Sequence, residues 1–238
     1  MNPIEMSSIV CGLINNPDLN KLAPLKATKV WLDQFKALAN LIPEIGGWIA
    51  QEIEAIQNYK EAAFFRKLTK YILEISDISF EERIKFSEEI EKTAKDDSGC
   101  VLLDMIDRLD NINKQIIFAN LTKARINHEI SIQDYFRLSS MLERIPYVDF
   151  QFLPYYENAH YDESGDTELL YATGALQIVV IDTNGNNKYT LSELGRKLLQ
   201  YGLMINTEVK HDKGVDVVLD TMSQEEAQQI VDKYFNNN

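Results

Sequence analysis

Helical periodicity governs the first half of this chain and limits what it can fold into. From Trp31 to Leu41 apolar residues recur at helical spacing, and Pro43, Gly46 and Gly47 then punctuate the pattern. A long amphipathic helix is expected from about Trp48 to Ile75, because no Gly or Pro interrupts NYKEAAFFRKLTKYILEI and its approach. Phe64, Phe65 and Tyr71 are spaced as core residues of that helix. Ser79 with Glu82 (SFEE) is a capping-box pattern that opens another helix. Gly99 is read as the separator before VLLDMIDRLDNINKQIIFANLTKARI. Ser131 with Asp134 caps IQDYFRLSSMLERI, and Pro146 ends it. Repeated amphipathic helices with short loops predict an antiparallel all-α bundle over about residues 20–145, within an N-terminal domain of residues 1–145.

The composition changes near Pro146. Between Arg144 and Lys188 there is no Lys or Arg, whereas Asp149, Glu157, Asp162, Glu163, Asp166, Glu168 and Asp182 are all acidic. Tyr147, Phe150, Phe152, Tyr155, Tyr156 and Tyr161 cluster in the same stretch. HYDESGD reads as an exposed loop, TELLYATGAL as a short helix with a turn at Gly174, and IVVI as a strand. Beyond Gly202, GVDVVL is strand-like, and Ser223 with Glu226 caps a last helix, EEAQQIVDKYF. The fold expected is mainly α, with the helical bundle followed by a degenerate winged-helix-like α+β domain over residues 146–238.

Composition restricts the partners. The 238 residues are 45% hydrophobic, enough for one large or two small cores, and the formal net charge is −13. That charge opposes nonspecific binding to nucleic acid or anionic membrane. Cys11 and Cys100 offer no CxxC spacing and no disulfide framework, which fits a reducing cytosol. The first twenty residues have no early Lys or Arg, so no signal peptide is expected there. The run Leu38–Ile49 is too short to span a bilayer and contains Pro43 and Glu44. A soluble, cytoplasmic protein without a membrane span is the expectation.

The segment Asp182–Leu199, DTNGNNKYTLSELGRKLL, supports two readings. As a calcium-binding EF-hand loop it places Asp182, Asn184 and Asn186 at positions one, three and five. Lys188 would then lend its carbonyl at seven, with Glu193 the acidic residue at twelve. Asn187 stands where that loop wants glycine, no second loop exists, and a β-branched run leads into Asp182. As a hairpin, IVVI and YTL are strands, TNGNNK is their turn, and Thr190 with Glu193 (TLSE) caps the next helix. The hairpin accounts for more of the residues.

The order short helix, Gly-containing turn, strand, turn, strand, helix is carried by LLYATGAL, IVVIDTNGNNKYTL and SELGRKLL. Over about 35 positions, residues 168–202, it resembles the wing and closing helix of MarR-type winged-helix domains, and YTLSELGRKLL is similar to the LT-x-x-G-x-x-LL pattern after their wing. The resemblance implies a winged-helix shape. It does not carry DNA binding with it, because DESGDTELLYATG holds four acids and no base where that family meets phosphates with Lys and Arg. The whole-chain layout resembles uncharacterised bacterial helical proteins grouped with the Abi-alpha proteins, from which no activity transfers.

Other candidates yield to plainer readings. Glu82-Arg83 and Asp104, Asp107 and Asp110 look like solvated helix faces with Arg108 and Lys114 nearby. His128, His160 and His211 form no HExxH pairing and no pair with a nucleophile. No cofactor is implied apart from the calcium of the EF-hand reading. The expected function is a non-enzymatic protein-interaction or regulatory module, contacting a protein partner through Tyr155, Tyr156 and Tyr161. A calcium-binding module and a winged-helix DNA-binding regulator are its alternatives.

Overall fold

Residues 3–27, 31–41, 59–161, 166–181 and 185–205 are described by the computed structural model. They are mainly helical, with a small antiparallel sheet near the C-terminal end. By its contacts the chain divides into two units, Met1–Glu143 and Arg144–Asn238.

The first unit contains α1 (Pro3–Ile14), a 3-10 stretch (Pro17–Ala27), α2 (Trp31–Ala39), α3 (Tyr59–Glu74), α4 (Phe80–Ala94), α5 (Ser98–Arg108), α6 (Lys114–Ile126) and α7 (Ile132–Arg144). Local chemistry sets several of these ends. Ser79 accepts from the Glu82 amide while Glu82 accepts from the Ser79 amide, so two unpaired amides at the start of α4 are satisfied reciprocally. Asp97 caps α5 through the Cys100 amide, and Ser131 accepts from the Asp134 amide at the start of α7. Phe64, Phe65, Leu68, Ile72 and Ile75 recur at helical spacing from α3 onward and are buried.

At the centre, the Tyr71 ring lies 4.9 Å from Phe118, and Phe118 lies 5.9 Å from Tyr135. The Thr122 hydroxyl is 3.1 Å from the Tyr71 hydroxyl and 3.4 Å from that of Tyr135, and it donates to the Phe118 carbonyl. All three groups are buried and none lacks a partner, as a low-dielectric core demands.

Two cations lie inside this unit. Arg83 is 1% exposed, and its guanidinium donates to the carbonyls of Ile14, Asn16 and Ile78 and to the Asn20 side chain. Burial pulls its pKa below the ordinary arginine range, with Glu81 opposing. Lys114 is fully buried, 2.6 Å from Asp110. Neither belongs to the solvated face expected at Glu82-Arg83 and around Lys114. Asp104 and Asp107 do lie on an exposed face, where Asp104 pairs with Arg108.

Several expected boundaries move. The bundle begins at α1, which packs against α5, and not near residue 20. Gly99 lies inside α5 because a side chain there would meet the Ser7 carbonyl at 2.3 Å, so glycine marks a close approach of two helices. The long segment after Gly99 is two helices. They part at Leu109–Asn113, where the Asn111 side chain accepts from the Asn113 amide and competes with the helical ladder. The expected start of the long helix at Trp48 and the junction at 42–49 lie outside the described residues.

The second unit contains a 3-10 helix (Tyr147–Glu157), β1 (His160–Tyr161), α8 (Asp166–Ala172), β2 (Leu176–Ile181), β3 (Asn187–Leu191), α9 (Glu193–Lys197) and a π-helical turn (Leu198–Gly202). The strand order is β1-β3-β2, antiparallel throughout. Leu176 pairs with Leu191 and Ile181 with Asn187, and a bulge leaves Val179 without a partner on β3. The stretch from Tyr147 is not an exposed acidic surface, since Asp149, Phe150, Leu153, Pro154 and Tyr156 are all buried. GVDVVL, EEAQQIVDKYF and His211 lie outside the described residues.

Candidate interaction surface of the C-terminal unit

The hairpin is held by ties from both of its ends. Gly174, at φ 84°, ends α8 by letting its own amide reach the Tyr171 carbonyl and the Ala175 amide reach that of Leu170. Ser192 caps α9 by accepting from the Gly195 amide, and its hydroxyl donates to the Gly174 carbonyl at 2.6 Å. Gly195 must be small, because a Cβ there would stand 2.1 Å from the Ala175 carbonyl. The cap is therefore Ser192 and not Thr190. Thr190 lies in β3 and donates to the Tyr156 carbonyl at 3.1 Å.

Of the three tyrosines expected to face a partner, Tyr156 does not. It is 3% exposed and its hydroxyl is 2.6 Å from that of Thr167. Side chains of a 3-10 helix repeat about every three residues, and composition alone does not set which of them face inward. Tyr155 is half-buried and stacks on His160 with centroids 3.8 Å apart. Tyr161 is exposed, with Lys188 5.6 Å above its ring.

The loop residues follow the hairpin. A strand, β2, leads toward Asp182, where an EF-hand needs a helix, and Lys188 is a strand residue paired with Tyr161 and Val180. Glu193 opens α9, is 83% exposed and pairs with Lys197 at 2.8 Å. Asn186 is exposed, and Asp182 and Asn184 lie outside the described residues. The described backbone is two antiparallel strands with a capped helix after them, the arrangement of the hairpin reading, whereas the calcium alternative needs a helix ahead of its loop. Burial raises the pKa of Glu157 in this unit, with Arg196 opposing.

Part of the outward surface of this unit is apolar. Val179, Val180 and Ile181 of β2 are 45%, 49% and 65% exposed, with Leu169 and Tyr171 of α8 also outward. Among the described residues β2 pairs with β3 alone, so it is an edge of the sheet. The β-branched run IVVI marks a strand but does not say which edge of a sheet it forms. The telling signal was the absence of any charged residue between Glu168 and Asp182.

The first unit contains a concavity. A cavity of about 650 Å³ lies between α4 and the end of α6, lined by Glu82, Lys85, Glu89, Arg125 and His128 among others. Arg125 is committed, donating to Glu89 through two bonds of 2.9 and 2.7 Å and to the Ile130 carbonyl. His128 takes the left-handed position that ends α6, at φ 60°. Acidic and basic side chains alternate along this groove, so it selects no charge class.

Among the described residues no helix is long and apolar enough to cross a membrane. Comparison with known proteins finds no matching family, no matching curated protein and no matching solved structure.

Proposed function

We propose that this chain is a non-enzymatic protein-interaction module of a regulatory kind, and that its contact surface is the exposed β2 edge of the C-terminal unit. The observation that carries the reading is the run Val179–Ile181, three apolar side chains outward on a strand that pairs with β3 alone among the described residues. Folded proteins cover or charge such edges, since unpaired amides and carbonyls beside apolar side chains recruit another strand. Recognition of that kind combines main-chain hydrogen bonds with apolar contacts.

The helix–turn–strand–turn–strand–helix order supports a winged-helix-like shape for this unit, used for protein contact. A DNA-reading role is disfavoured, because α8 carries Asp166 and Glu168 and no base.

The test is a double substitution, Val180→Lys with Ile181→Lys. Both side chains are exposed, so circular dichroism should match the parent chain and stability should change by about 0.5 kcal/mol or less. Crosslinking in extracts of the native host, followed by mass spectrometry, should lose the crosslinks that map to residues 169–181. Crosslinks unchanged in the double variant would overturn the reading.

A further inference from the structure

We draw no further inference here: the strongest candidate, the apolar patch that β2 and α8 present at Leu169, Tyr171 and Val179–Ile181, belongs to the contact surface already described, and nothing in the structure shows what covers it.

Discussion

The two units of this chain treat buried and exposed groups in opposite ways. The first takes cations inside and satisfies them. Arg83 donates to three carbonyls and an amide oxygen, and Lys114 pairs with Asp110. The second buries few polar groups but leaves Val179, Val180 and Ile181 in water. A buried charge held by several bonds is a commitment to one internal arrangement. An exposed apolar strand is a commitment to something outside. The difference assigns stability to the first unit and contact to the second.

The strongest way to break that comparison is to remove the inner commitment. Arg83→Ala leaves three carbonyls and a side-chain amide without their donor and should cost about 3–5 kcal/mol. Hydrogen exchange in urea should place the loss in residues 59–143. Tyr156→Ala should cost a similar amount, about 3–5 kcal/mol, because a buried aromatic and its hydroxyl bond are lost. Hydrogen exchange should place that loss in residues 144–205. If Tyr156→Ala leaves the second unit intact, the tyrosine is not part of its core.

A smaller effect tests close approach in each unit. Gly99→Ala and Gly195→Ala each force a Cβ against a backbone carbonyl, and each should cost about 1–3 kcal/mol by thermal denaturation. A neutral outcome would mean that the neighbouring backbone moves freely.

The smallest effect is one of sign with pH. In the first unit Glu82 is held below the usual carboxylate range by hydrogen bonds from Ser79. Burial alone would raise Asp77, but bonds from Lys123 and Lys26 outweigh it and lower it as well. A depressed carboxylate adds stability above its unfolded pKa, about 4, and that stability is lost as pH falls through the folded value. Glu157 in the second unit is raised by burial, so the sign reverses. Its contribution is complete below about pH 4 and is lost as pH rises through its folded value. Glu157→Gln should therefore stabilise the second unit at pH 7 and not at pH 4, as read by exchange in residues 144–205. Equal effects at both pH values would assign the change to packing.

The helices were legible because periodicity and caps are local. SFEE and Ser131 with Asp134 are complete signals within four residues, and the structure shows their caps formed. The hairpin was legible for the same reason, from IVVI and the turn residues. What stayed hidden depends on distant partners. Glu82 and Arg83 read alike as surface charge, yet one faces water and the other reaches Ile14 and Asn16. Thr190 fits a cap by spacing, but a strand and the Tyr156 carbonyl claim it. The candidate surface was visible as β-branched composition, and its position at a sheet edge was not, because strand order is a property of pairing.

The anchoring of α1 carries a consequence for the order of events during synthesis. Its apolar face needs α5, and the carbonyls of Ile14 and Asn16 wait for the Arg83 side chain. At ribosomal speeds of about 5–20 residues per second, these partners follow α1 by roughly 4–20 s. During that interval Ile9, Val10 and Leu13 lack the surface of α5. This early helix thus docks only after α5 has been made. The nascent chain is in that interval a natural client for a ribosome-associated chaperone.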